Sequence, residues 1–331
     1  MLLKIYRGIG PGTILLIFVS LLLLWLQALL NPGDHSVYTS NPAPLYALLL
    51  NLFEGRPHAG IIFCMLMIIL TAIYMVNFNT RLFFINERTF LPASIYVLLS
   101  GFIVRNQVLN PILPAALLLL VSMDRLIVSY RKPGIAYNLF DASMLIGIAA
   151  LVNTNIIWYY PLIIIGISIF RSFNARELLI SLAGLLTPFV IIYSYYYLAG
   201  RDIAGLNKLL TDSLFSETPG NTWPLEVIIV SAVNLLIALV ALLHLWSIFN
   251  TKKIRSRKIF SLLSWMALIS LLVYFLVPSA SVGLFFVLLI PLAFILTHYL
   301  VMIRNKKIAN FVFAIIFLSV LFLQLRGLIL I

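Results

Sequence analysis

The sequence predicts an all-α, polytopic transmembrane helix bundle of about 11 spans, with the N-terminus inside and the C-terminus outside. Three observations carry that expectation. Hydrophobic residues make up 63% of the 331-residue chain and charged ones only 10%, where a soluble domain carries about 25% charge. Apolar runs recur from residue 13 to the C-terminus, and a helix needs about 20 such residues to cross hydrocarbon. The basic residues fall on alternate connections between those runs. A mean hydropathy of +1.11 suits a helical bundle, whose backbone groups are all satisfied within each span.

The first run, 13–30, follows Lys4 and Arg7 and ends in Leu-Leu-Asn-Pro without a small-x-small cleavage site. It is long for a signal sequence, which makes it an uncleaved first span. The stretch Pro42 to Phe53 is too short to span and is followed by Glu-Gly-Arg-Pro-His, so an interfacial helix is expected in the first outer loop. Spans follow over 59–78, 89–104 and 110–123. The last is short and flanked by Pro111 and Pro114, which predicts a broken or tilted helix. Seven more runs cover 135–152, 155–170, 177–198, 226–249, 259–277, 281–303 and 308–330. The polar stretches 31–58 and 200–226 are too short to bury cores of their own. Residues 1–331 therefore form a single membrane domain.

With the N-terminus inside, every base except Arg56, Arg105, Arg201, Lys208 and Arg326 falls on an inside segment. Lys and Arg bias on short loops sets orientation. The net charge of +12 is then explained by topology and anionic membrane lipid, with no nucleic-acid partner. Cys64 is alone and reads as a small buried hydrophobe. Asp141, inside the fifth run, is expected to pair with Arg125 or Arg171, with an ion relay as the alternative. His244 and His298 fall near the inside ends of their runs, at one level. Asn234 is expected to hydrogen-bond between helices.

Polar side chains gather at the outer end. Asp34 and Glu54 are the acids of the first outer loop. A tuned carboxylate there can deprotonate an acceptor hydroxyl, with Asp34 as the base and Glu54 as its backup. His35 and His58 lie beside them as substrate contacts. His35 with Asp34 would supply half of a metal site, but the spacing is irregular and no metal is assigned. Arg56, Arg105, Arg201 and Arg326 are suited to clamp a phosphate through charge-assisted hydrogen bonds. The competing reading is a set of solvated loop residues above an aromatic interfacial belt. The sequence holds no P-loop, no dinucleotide fingerprint, no G-x-S-x-G, no H-E-x-x-H and no C-x-x-C, so the chemistries those motifs serve lack their usual support. No cofactor is implied.

The order of features resembles the GT-C class of polytopic glycosyltransferases, which take sugars from polyprenyl-phosphate donors. A first span precedes an outer loop with an acid, Asp34, and a short helix, Pro42 to Phe53. A short-loop bundle follows, with Leu109-Asn-Pro-Ile-Leu-Pro-Ala-Ala-Leu-Leu-Leu-Leu and Ile146-Gly-Ile-Ala-Ala-Leu-Val-Asn-Thr-Asn at its middle. The likeness covers roughly residues 10–200, with 201–331 as additional transmembrane helices. It implies transfer from a polyprenyl-phosphate-linked sugar at the outer face of the inner membrane. The chain lacks the paired acid signature many members carry in that loop, and it has no soluble domain after the bundle. As a whole it also resembles polytopic inner-membrane proteins of Bacteroidota, which implies an envelope location. Two alternatives stay open: a non-catalytic partner or scaffold of an envelope assembly, and a transporter or flippase of a lipid or small anion.

Overall fold

The computed structural model describes residues 2–32, 42–102, 107–130, 136–170, 174–216 and 224–329. Among them the chain is helical and holds no strand. The helices run in the order α1 (Leu2–Arg7), α2 (Pro11–Leu24), α3 (Leu26–Leu30), α4 (Pro44–Phe53), α5 (Pro57–Leu82), α6 (Leu91–Ser100), α7 (Ile112–Val128) and α8 (Ala136–Val152). They continue as α9 (Pro161–Phe170), α10 (Ala175–Leu198), α11 (Ile203–Phe215), α12 (Leu225–Ser247), α13 (Ile254–Leu276), α14 (Phe285–Met302) and α15 (Lys306–Ile329). Six described helices are long and apolar enough to cross a membrane: α5, α10, α12, α13, α14 with the 3-10 turn before it, and α15. This fits a multi-pass integral membrane protein.

Each expected apolar run lies on a helix, but several differ in detail. The first breaks at Trp25, whose φ of −103 and ψ of 6 end α2 and start α3. The run 89–104 is helical over the ten residues of α6, about 15 Å at 1.5 Å per residue. The run 155–170 begins as the 3-10 helix Thr154–Tyr159 before α9. The run 110–123 is not broken, because α7 continues to Val128. Asn110 Oδ1 accepts the Ile112 N–H at 2.9 Å, and Pro114 sits in the first turn, where a missing N–H leaves nothing unpaired.

Burial identifies the axis of the bundle. In α14, 83% of the apolar window is buried, against 17% in α12 and 22% in α10. Every residue of the short helix α6, which packs on α14, is also buried. Phe84 joins α14 to α5 and α13, with its ring centroid 5.7 Å from Phe78, 5.3 Å from Phe294 and 5.1 Å from Phe260. α10 and α12 instead turn Leu186, Val190, Leu236 and Leu243 outward, as a hydrocarbon solvent permits.

α8 and α10 approach closely, where glycine lets backbones touch. A Cβ on Gly147 would stand 2.5 Å from the Leu185 carbonyl oxygen, and one on Gly184 would collide with the Phe140 carbonyl oxygen. Neither backbone atom can swing aside. Gly147→Ala or Gly184→Ala should therefore destabilise the bundle by about 1–3 kcal/mol, the usual cost of overpacking. Gly12→Ala, with nothing within 4 Å of the added methyl, should be neutral. Thermal unfolding of the detergent-solubilised variants measures the difference.

Candidate functional site

The polar contacts that join the helix ends fall into two sets among the described residues, each linking connections that alternate along the chain. In the first set, Arg7 grips Glu87 with two hydrogen bonds, the Nε bond at 2.6 Å. Arg81 pairs with Asp124, which also accepts Tyr74 Oη at 2.6 Å. Lys258 lies 4.8 Å from the centroid of the Tyr130 ring. In the second set, Gln107 Nε2 donates to the Leu24 carbonyl at 3.0 Å and Gln324 Nε2 to the Gly101 carbonyl at 2.5 Å. Asn155 Nδ2 donates to the Ser279 carbonyl at 2.8 Å, and Arg326 pairs with Glu226. These sets mark the two ends of the bundle.

Those expected site residues that are described lie at the second end. Glu54, Arg56 and His58 share the turn from α4 to α5, opened by Gly55 at φ +70. That left-handed backbone costs a glycine nothing. Beneath the turn is a cavity of about 420 Å³, with Asn51, Glu54 and Arg56 at its polar side and Leu50, Phe53 and Leu109 at its apolar side. Neither Glu54 nor Arg56 pairs with a described residue, and both are exposed. Their charges are therefore free to meet a ligand.

The apolar wall at Leu109 is held from several sides. Tyr46 Oη donates to the Leu109 carbonyl at 2.9 Å. Cys64 Sγ lies 3.4 Å from both the Val108 carbonyl, to which it donates, and the Asn110 N–H, from which it accepts. Leu109 also fits against Gly60, where an added Cβ would stand 3.2 Å from Leu109 Cβ. So 107–110, which reads as a polar connection, is a buried strap. Beside it, Trp25 Nε1 and Gln107 Oε1 are a buried donor and a buried acceptor with no partner among the described residues.

Asp34, His35 and Arg105 lie outside the described residues. Arg201 is exposed between α10 and α11, its guanidinium 5.3 Å and 5.8 Å from the centroids of Tyr195 and Tyr196. Arg326 is on α15, held by Glu226 in the first turn of α12. No hydrogen bond or ion pair joins the α4–α5 turn, Arg201 and Arg326 to one another among the described residues.

No known protein family, curated protein or solved structure matches the chain. What the site does must be argued from its own chemistry.

The most buried carboxylate among the described residues lies at the first end. Asp124, 3% exposed, is held by Tyr74 and Arg81. Asp141, expected to be the buried partner, is half-buried and pairs with no described residue; Arg171 lies outside the described residues. His298 is fully buried and hydrogen-bonded to Lys252, whose pKa burial pushes down from its ordinary value. His244 meets the Tyr299 ring edge to face, with centroids 5.2 Å apart. Asn234 does bridge helices, donating to Ser319 Oγ at 3.0 Å.

Removing one partner of a buried ion pair costs about 3–5 kcal/mol. The Arg81 side chain is 48% exposed, which puts Asp124→Asn near the low end, at about 3 kcal/mol. Tyr74→Phe should cost about 1 kcal/mol, one hydrogen bond. Asp141→Asn should stay within about 0.5 kcal/mol. Equilibrium unfolding in detergent ranks the three, and a larger loss at Asp141 would contradict the assignment of Asp124 as the buried anchor.

Proposed function

We propose that this is an N-in, C-out inner-membrane protein of about 11 spans that binds a phosphate-bearing, lipid-linked substrate at its outer end. The observation that carries the reading is the cavity under the α4–α5 turn. A carboxylate and a guanidinium, both without a described partner, stand over an apolar wall of Leu50, Phe53 and Leu109. A site with a charged mouth and an apolar wall suits a molecule with a charged head and a hydrocarbon tail.

The alternation of the two contact sets supports the topology. Arg7, Arg81 and Lys258 meet at one end, the basic one, and a basic end belongs on the cytoplasmic side. α4 supports the interfacial assignment. It buries Tyr46 while turning Leu48 and Leu52 outward, and at ten residues it covers about 15 Å, half of a hydrocarbon core.

On this reading the protein resembles a GT-C transferase that takes a sugar from a polyprenyl-phosphate donor. Asp34 would be the base that deprotonates the acceptor hydroxyl, with Glu54 as its backup. His35 and His58 would contact the sugar. Arg56, Arg105 and Arg201 would hold the phosphate, and Arg201 is already oriented by its two tyrosines. Arg326 would have to exchange Glu226 for the phosphate, which makes it the weakest member of the clamp. The scaffold and flippase readings predict no such chemistry at this end.

Mass spectrometry of copurifying lipids, together with polyprenyl-phosphate binding, tests the proposal. A prenyl phosphate should copurify, and Arg56→Ala should weaken its binding about tenfold or more, the loss of one charge-assisted hydrogen bond. Asp34→Asn should lower sugar transfer by about 10²–10⁴ without changing the elution of the folded protein. If no prenyl phosphate is bound and Arg56→Ala leaves the lipid profile unchanged, the scaffold reading takes first place.

A further inference from the structure

A second amphipathic cavity, of about 550 Å³, opens at the other end of the bundle. One wall comes from the end of α12 and the 3-10 turn after it, through Trp246, Phe249 and Asn250; the other is Ser261, Ser264, Trp265 and Leu268 of α13. Both walls follow helical spacing, so each is one face. Each also grades from polar to apolar: Asn250 and Ser261 lie toward the helix ends, whereas Trp265 and Leu268 lie deeper along α13. Trp246 and Trp265 are 62% and 42% exposed.

Arg257 sits four residues before Ser261, which puts it on the same face of α13, one turn nearer the helix end. It is half-buried, and its guanidinium makes no hydrogen bond or ion pair with a described residue. Lys252, Lys253, Arg255 and Lys258 flank it in the sequence, and Lys253 is exposed. No Asp or Glu follows Glu226 anywhere in the sequence. This part of the chain therefore carries no carboxylate of its own to neutralise those bases.

We propose that this groove binds one anionic glycerophospholipid, its phosphate against Arg257 and Lys253 and an acyl chain along Trp246, Trp265 and Leu268. Two observations select that occupant. The apolar part of the groove lies on α12 and α13, both long enough to cross a membrane, so it faces hydrocarbon rather than water. Next to the polar part, one turn away on the same face of α13, stands the Arg257 guanidinium with no described partner, a charge that a zwitterionic headgroup neutralises less well. Each base near an anionic headgroup should raise the preference about fivefold. The site is independent of the substrate site at the opposite end.

The test uses the full chain in phosphatidylcholine nanodiscs that contain a minor share of brominated phosphatidylglycerol or, separately, of brominated phosphatidylcholine. Bromine quenches tryptophan on contact, and the signal of the groove is the emission lost in a Trp246→Phe/Trp265→Phe variant. Brominated phosphatidylglycerol should quench that emission several times more strongly than brominated phosphatidylcholine. Lys253→Gln and Arg257→Gln should each cut the preference about fivefold, whereas Arg304→Gln, away from the cavity, should leave it intact. Equal quenching by the two lipids would mean ordinary annular hydrocarbon and would overturn the site. An equal loss in Arg304→Gln would mean diffuse surface charge and would overturn it too. The comparison of the two lipids on the unmodified chain stands even if a variant fails to fold.

Discussion

The bundle is organised around one helix that has no face for the membrane. α14 is buried along most of its length, and in hydrocarbon a buried helix gains little from being hidden from lipid alone. What holds it is close packing. Phe294 meets Phe78 and Phe84, Phe84 meets Phe260, and the short helix α6 lies against α14 with all ten residues buried. α5 and α13 fill the space around this aromatic cluster. α10 and α12 are then left outside, where their leucines and isoleucines meet lipid.

Polar groups are pushed to the two ends by the same constraint. An unpaired polar group in hydrocarbon costs several kcal/mol, so the ion pairs lie at the ends, and Asn234, deeper in the bundle, is hydrogen-bonded to Ser319. The two ends differ in kind. At the basic end, carboxylates are consumed by structure: Glu87 holds Arg7, and Asp124 holds Arg81 and Tyr74. At the opposite end, amide side chains tie helix ends together through Gln107, Gln324 and Asn155, and Glu54 and Arg56 stay unengaged among the described residues. A carboxylate and a guanidinium left uncommitted together in the lining of one cavity are the feature that sets this end apart.

The helices were legible because apolar runs of this length have one stable backbone solution in lipid. The break at Trp25 was not, since no proline or glycine announces it, whereas Pro161 does mark where the 3-10 helix Thr154–Tyr159 gives way to α9. Asp124 directly follows the expected run 110–123, where a carboxylate normally ends an apolar span. It stays on α7 because Tyr74 and Arg81 reach it from α5, and sequence spacing does not show such a contact. Gln107 and Asn110 read as loop polarity, yet both are buried and bonded to backbone. Arg326 read as a free anion clamp, and its partner Glu226 lies far along the chain on α12. Of the residues expected to bind substrate, Glu54, Arg56 and His58 share one turn because they are close in sequence. Arg201 and Arg326 are held elsewhere by partners of their own.

The account turns on which end faces the cytoplasm, and cysteine labelling tests that most directly. Cys64 is fully buried, so single cysteines placed at positions 36, 215 and 254 report without background. Phe215 and Ile254 are 63% and 51% exposed, which leaves room for a reagent. In intact cells a membrane-impermeant thiol reagent should label positions 36 and 215 and spare 254, which should react only after the membrane is opened. The reverse pattern would turn the bundle over. It would place the Glu54 and Arg56 cavity in the cytoplasm and contradict the outer-face site.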